Sequence, residues 1–596
     1  MAQQQQQPPD GAVSAEPATE HSPLLNHVHV HARANGSPRS PSADAGPPAN
    51  GHGAAVKHAA PADEEQARAH GDRGFSRAQV ARIISVLLIG VFVANADGSL
   101  LMATHPIIAS DFNELSASSW LITSFSLAAA ATQTLYGKLS DIYGRKWLVI
   151  VAYSVFALGC AIISVGQTMW QVVLGRVISG AGASGMTTLV SVLITDMLPI
   201  REVAQWRSFV NIIATTGRSV GGPLGGWLAD VIGWRWSFSG QVPVIGVAIV
   251  LCAIYLPGPN SAPAASTGTA AATPTSGDNS STPLVSRKSK FSRIDFKGSF
   301  VFALMILALL FPMELGGVTV PWSHPLIAGL FVLSAALLAV FIAVERRAPE
   351  PILPLDIFNR DASFSFLIMG LQSAAQIGLM FTVPIYFKVT ASVSNTSAGA
   401  HLVPAVVANA VGGVLSGLII NRSGKYKFLV IFAVACSSCG YLLLMLTWHG
   451  HTNWFESLYI MPGGFGTGIA QSAVFISLQA VVDPAHMAPA VAFMYLSSTV
   501  WFMVGLAATN AVLQTTLRRS LLRRLLAIGL DHAAIQKIIA SAISDVDFVD
   551  RMRGAARTAV ISAYVDALWW SHGVPFICSV TALGIAIFLK QRRIDR

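Results

Sequence analysis

The sequence predicts an all-α polytopic membrane protein of fourteen spans, built as two six-helix bundles with two helices inserted between them. Three observations carry this. Only 12% of the 596 residues are charged and 53% are hydrophobic, against about 25% charged in a soluble globular chain, and mean hydropathy is +0.56. Fourteen apolar runs approach the roughly 20 residues a span needs, beginning near Ile83, Trp120, Trp147, Gln171, Ser208, Phe238, Gly298, Pro325, Ser363, Ala398, Phe428, Leu458, Ala490 and Trp570. Finally, a polar bridge recurs. YGKLSDIYGRK sets Gly137, Asp141, Gly144 and Arg145 between spans two and three, and Gly417, Asn421, Gly424 and Lys425 repeat that spacing 280 positions later. Such an internal repeat marks a duplicated membrane protein.

Residues 1–75 are rich in Gln, Pro, Ala, Gly, Ser and His. They bury too little apolar surface to offset the entropy of ordering, so a disordered cytosolic tail is expected. Within it Glu20, Leu24 and Leu25 have the spacing of an acidic dileucine sorting signal, an address for a sorting adaptor. The neighbouring His27, His29 and His31 read as solvated tail more readily than as a metal site. Residues 76–256 hold spans one to six, and 257–296, dominated by Ala, Ser, Thr, Pro and Gly, read as a flexible cytosolic linker. The repeat aligns 348–596, spans nine to fourteen, with the first bundle, which makes 297–347 the inserted pair. Residues 517–564 open with LRRSLLRRLLAIGL, whose apolar and basic stripes predict a helix along the membrane surface.

The net charge of +9 does not point to nucleic acid, because most Lys and Arg sit in alternate loops. Lys138, Arg145 and Lys146 follow span two, and Arg201 and Arg207 follow span four. Arg287, Lys288, Lys290, Arg293 and Lys297 precede span seven; Arg346, Arg347 and Arg360 follow span eight, and Arg422, Lys425 and Lys427 follow span ten. By the positive-inside bias these loops and both termini face the cytosol. Arg518, Arg519, Arg523 and Arg524 fall on the other side, in a long loop of the kind that responds weakly to that bias. The sequon at Asn395 also lies on that other side and is a glycosylation candidate, although sequons occur at Asn35, Asn279 and Asn421 on the cytosolic side as well. Five cysteines fall inside apolar runs and imply neither a disulfide framework nor a metal site. With no phosphate loop, metal cluster or nucleophile elbow, no catalytic residue and no cofactor are assigned.

Charges that lipid does not tolerate mark the candidate site. Asp97 is 15 residues beyond Arg82 and 14 before Asp111, about 22 and 21 Å at a rise of about 1.5 Å per residue. At that depth an acid costs about 2.5–3.5 kcal/mol, so it is expected to face a bundle interior or a wet cavity. One reading is a carboxylate that takes up a proton or a cation; the other is a hydrogen-bond partner between helices. Arg218, deep in span five, needs an anion or strong acceptors: Asp97, a substrate carboxylate or helix-end carbonyls. Arg176, shallower in span four, can act on a nearby carboxylate. In span five Gly217, Gly221 and Gly225 recur every four residues, with Gly222 and Gly226 beside them and Pro223 interrupting the ladder. Such a face admits another helix closely and offers a bend.

GKLSDIYGRK, LGRVISGAGASG and GRSVGGPLGGWLADVIGWRW resemble, in order, the loop, fourth-span and fifth-span motifs of the major facilitator superfamily. The resemblance runs from about residue 80 to 590, and fourteen spans resemble its drug:proton antiporter branch. Within that branch, ANADGSLLMATHPIIASDF, the GRSVGGPLGG block and the Ser/Thr-rich linker look like fungal vacuolar basic amino-acid transporters. The resemblance implies that Asp141 and Arg145 pair with neighbouring helix ends in one conformational state, that Arg176 assists proton coupling, and that the fifth-span glycines seal the bundle. Asn421 departs from the acidic residue of the pattern, which implies a weaker second latch.

The expectation is therefore a proton-driven antiporter that moves basic amino acids across the vacuolar membrane by alternating access, with Asp97, Arg218 and Arg176 at its substrate and proton site. Its partners are a small-molecule substrate and the bilayer. The rivals are a plasma-membrane multidrug or toxin exporter of the same fold and a non-transporting nutrient sensor with a signalling tail.

Overall fold

The computed structural model describes residues 76–114, 118–257, 295–316, 320–393, 395–544, 546 and 548–592. The tail with Glu20, Leu24 and Leu25 and most of the linker lie outside the described residues. The fold is helical, and among the described residues the one β-type contact is an isolated bridge between Gly316 and Val320.

Fourteen long helices follow in order: α1 Arg77–Asp111, α2 Ser118–Tyr143, α3 Arg145–Val165, α4 Met169–Met197, α5 Ile200–Val231, and α6, which is interrupted at Gly240 into Trp234–Ser239 and Gln241–Tyr255. Then come α7 Phe296–Leu315, α8 Pro325–Glu345, α9 Arg360–Ala391, α10 Val403–Ser423, α11 Lys427–Thr447, α12 Met461–Gln479, α13 Met487–Ala527 and α14 Gly554–Phe588. Among the described residues eleven helices are long and apolar enough to cross a membrane. The other three, α2, α5 and α12, are as long but carry more Gly, Ser, Thr and Gln; α12 is almost wholly buried among helices, whereas α5 also exposes Phe209, Val220, Leu224 and Trp227.

Local chemistry sets the boundaries. Ser76 opens α1 with a capping box, accepting from Gln79 N at 3.2 Å while its own N–H reaches Gln79 Oε1 at 3.0 Å. Asn359 caps α9 through Ala362 N at 2.9 Å. The turns from α2 to α3 and from α10 to α11 need a left-handed residue, which Gly144 (φ +91°) and Gly424 (φ +63°) supply. Pro223 lies within α5, which runs on through it.

The repeat seen in sequence is also a repeat of packing. In the first half α1 packs on α5, α2 and α3 pack on α4, and α3 packs on α6. In the second half α9 packs on α13, α10 and α11 pack on α12, and α11 packs on α14. The halves meet along α2 with α13 and α5 with α10, while α7 lies against both α2 and α13 and carries α8 on its outer side.

The segment expected along the membrane surface begins differently. Residues 517–527 continue α13, a single helix of 41 residues. Leu517, Leu521 and Leu525 are buried with Ile535 and Ile539 of the helix His532–Ser544 and with Tyr564 of α14. The apolar stripe is spent on protein rather than lipid, and Arg524 pairs with Asp566 of α14 at 2.7 Å. Asn395 starts a short helix, Asn395–Ala400, ahead of α10.

Candidate functional site

Asp97 sits in the middle of α1 and is fully buried. Its Oδ2 accepts from Arg176 Nη1 of α4 at 2.7 Å, and its Oδ1 accepts from Gln241 Nε2 of α6 at 3.2 Å. Arg176, 1% exposed, also donates from Nε to the Leu121 carbonyl of α2 at 3.1 Å, and the Phe125 ring lies 4.2 Å from its guanidinium carbon. One carboxylate thus joins three helices of the first bundle. The glycine stripe makes this depth reachable. A Cβ on Gly217, Gly221 or Gly225 would lie 2.6 Å from the Phe92 carbonyl, 2.9 Å from Ala96 Cα and 2.9 Å from Leu100 Cα respectively, so α5 presses directly on α1. Gly226 meets nothing within 4 Å and takes no part in that contact.

Arg218 does not reach Asp97. Seven residues separate it from Asn211, about two turns, so it shares the α5 face that meets the second bundle. It is partly exposed, its Nε is buried without a partner, and among the described residues it forms no ion pair or hydrogen bond. The structure brings Asp97 and Arg176 together and leaves Arg218 as a separate cation in the seam.

The two halves touch at the end that carries the repeated loops. A Cβ on Gly137 of α2 would lie 2.9 Å from the Ala488 carbonyl of α13, and one on Gly417 of α10 would lie 2.8 Å from Gln205 Cα of α5, so equivalent glycines form the two equivalent contacts. Arg145 pairs with Asp141 at 2.6 Å and with Asp196 at the end of α4 at 2.8 Å, and it also contacts the Ser140 hydroxyl. Lys138 reaches Glu350, on the segment leading into the second bundle, at 3.4 Å. The second loop keeps the basic residue, Lys425, but has a neutral one in place of the acid. Asn421 meets Gln205 at 3.4 Å, and Lys425 forms no ion pair among the described residues.

Polar bonds reinforce this end. Asn211 donates to Asn409 at 2.7 Å, Ser208 donates to the Gly413 carbonyl at 2.5 Å, and Gln133 accepts from Thr499 at 3.4 Å. Arg207, read from sequence as a loop charge, is in fact buried within α5. Its Nη1 donates to Ser191 Oγ of α4 at 2.5 Å and contacts the Tyr495 hydroxyl of α13. Sequence reasoning missed Arg207, Tyr495 and Gln241. Of these, Gln241, a lone amide in an apolar run, was visible in principle. At the opposite end Asp111, beyond the apolar window that ends at Met102, binds Arg235 at 2.9 Å and Trp234 at 3.2 Å. The Arg235 hydrogen bond, then that of Trp234, holds the Asp111 carboxyl below the usual range.

Two repeated bundles around a polar seam, with a buried charge pair beside it, define a polytopic membrane transporter. The profile of the Major Facilitator Superfamily matches residues 87–506, and the chain belongs to that superfamily, whose members are transporters and not enzymes. A vacuolar membrane amino acid uptake transporter of Schizosaccharomyces pombe is 27% identical over 524 residues, 87% of this chain and 86% of that protein. A multidrug resistance protein of the same yeast is 27% identical over 514 residues, 85% and 92% of the two chains. Vacuolar basic amino acid transporter 2 of Saccharomyces cerevisiae is 25% identical over 480 residues, 79% and 98% of the two chains. Among solved structures, a proton:xylose symporter of the superfamily shares the fold with a TM-score of 0.53 at 13% identity, covering 87% of this chain and 98% of its own.

Proposed function

We propose that the chain is a proton-coupled antiporter that moves basic amino acids across the vacuolar membrane by alternating access. The observation that carries this is the Asp97–Arg176 pair, a titratable carboxylate buried against a fixed cation at 2.7 Å. Protonating Asp97 removes the charge that holds Arg176 and frees the guanidinium to move, so proton occupancy and helix arrangement are linked. With Asp97 already occupied by Arg176 and Gln241, its role is to carry the proton rather than to grip the substrate's cation. Arg218, unpaired in the seam, holds the substrate carboxylate. The halves meet at the loop end, which the charge bias assigns to the cytosol, so this conformer faces the lumen. The driving force is the proton gradient, with no cofactor. The names of the two vacuolar relatives support the substrate and the compartment.

Uptake of radiolabelled lysine into vacuolar vesicles, with and without a proton gradient, tests the proposal; uptake indifferent to the gradient removes the coupling. The multidrug resistance relative keeps a second reading in play, a drug exporter of the plasma membrane. Drug hypersensitivity in cells lacking the protein, with vacuolar lysine unchanged, would favour it.

A further inference from the structure

Arg207 precedes Arg218 by eleven residues, about three turns and about 17 Å along α5, so both face the second bundle. Arg207 is 8% exposed, and every partner it has is neutral. These are Ser191 Oγ at 2.5 Å, the Tyr495 hydroxyl, and the Phe475 ring of α12, 4.0 Å from the guanidinium carbon. Its Nε is buried with no partner, and no carboxylate pairs with it among the described residues. A buried cation without an anion is under-satisfied, and a guanidinium fork fits a carboxylate.

The partners divide by bundle. Ser191 travels with Arg207 in the first half, whereas Tyr495 and Phe475 belong to the second. When the loop end opens, Tyr495 and Phe475 leave and an arginine beside a hydroxyl lines the mouth. We propose that Arg207 and Ser191 form a carboxylate-binding station at that mouth, filled by the substrate's carboxylate when the side is open and emptied when the Tyr495 hydroxyl takes its place on closing. Closure then drives the carboxylate toward Arg218 on the same helix face. This deepens the antiporter reading and rests on it for the identity of the substrate.

The test uses the full chain in proteoliposomes with substrate on the loop side, comparing lysine with lysinamide, which keeps both amines and lacks the carboxylate. Tyr495→Phe removes the competing hydroxyl and keeps the ring. It lowers the KM for lysine by about threefold or more and leaves that for lysinamide unchanged. Arg207→Gln raises the KM for lysine by about tenfold, with kcat within about twofold and lysinamide unaffected, as the loss of one charged contact predicts. Equal shifts for the two substrates reduce the cluster to a gate and overturn the station. If Arg207→Gln fails to fold, the Tyr495→Phe comparison decides alone. If the wild type carries no lysine, the antiporter reading falls, and the station is judged on thermal midpoints in acetate against chloride. Acetate raising the midpoint of Tyr495→Phe by about 2 °C or more, but not that of Tyr495→Phe with Arg207→Gln, sustains it; an equal response in both overturns it.

Discussion

Replacing Asp97 with Asn keeps the side-chain volume and the bond from Gln241 at 3.2 Å but removes the charge 2.7 Å from Arg176. Breaking one partner of a buried ion pair costs about 3–5 kcal/mol, because the other charge stays buried. Arg176 keeps the Leu121 carbonyl at 3.1 Å and the Phe125 face at 4.2 Å. These offset about 1–2 kcal/mol, leaving a net loss of about 1–4 kcal/mol for Asp97→Asn. Arg176→Gln suffers a comparable loss by stranding the carboxylate. The double variant buries two amides and no charge, so it is expected to be no worse than the poorer single, a coupling of about 1–3 kcal/mol. Thermal midpoints of the four purified proteins measure the cycle, and strictly additive losses would refute the argument that each charge is held by the other. In vesicles, Asp97→Asn is expected to keep lysine counterflow and lose its response to a proton gradient. Undiminished proton-driven uptake would remove Asp97 from the coupling.

Gly221→Leu should unseat α5 from α1 and lower the thermal midpoint strongly, since even a Cβ there lies 2.9 Å from Ala96 Cα, whereas Gly226→Ala, with nothing within 4 Å, should be neutral or gain up to about 1 kcal/mol from helix propensity. Arg145→Ala loses two carboxylate partners at the loop and is expected to raise maleimide labelling of a cysteine placed at Ala492 by severalfold; unchanged labelling would show that the loop charges do not hold the closed end. Glu350→Gln breaks a half-exposed pair worth about 0–1 kcal/mol, so its effect on labelling should be smaller than that of Arg145→Ala. Asp111 has a folded carboxyl held below its ordinary value of 3.8, so its contribution is present above that value and fades as pH falls through the lower folded one. The gap in thermal midpoint between wild type and Asp111→Asn should therefore be flat from about pH 5 to 8 and shrink only in strong acid.

Helix number and repeat were legible because both are written in one dimension. Apolar length announces a span, and the offset of 280 between Gly137 and Gly417 announces a second bundle. The glycine stripe of α5 was legible as a close-approach face, but its partner α1 was not, because periodicity names a face and not what covers it. The same limit separated Arg218 from Asp97. Both were recognised as deep charges, yet only the fold shows that α4 supplies the counter-ion and α5 turns its arginine to the seam. Arg207 was misplaced for a physical reason: a cation at a helix start reads as a loop charge unless the aromatic and hydroxyl groups of the opposite bundle are known to enclose it. Residues 517–527 read as a surface helix because their stripes fit lipid or protein equally well, and Ile535, Ile539 and Tyr564 decide the matter.

The inserted helix α7 touches α2 of one half and α13 of the other. Near one end it is fastened to α2, where Thr123 donates to Glu314 at 3.2 Å and Trp120 lies against Phe311 with centroids 5.5 Å apart. Among the described residues no hydrogen bond or ion pair joins it to α13. In the proposed alternating-access cycle α7 would ride with the first half and glide over the second, so the extra pair would flank the cleft on the α2–α13 side and not on the α5–α10 side.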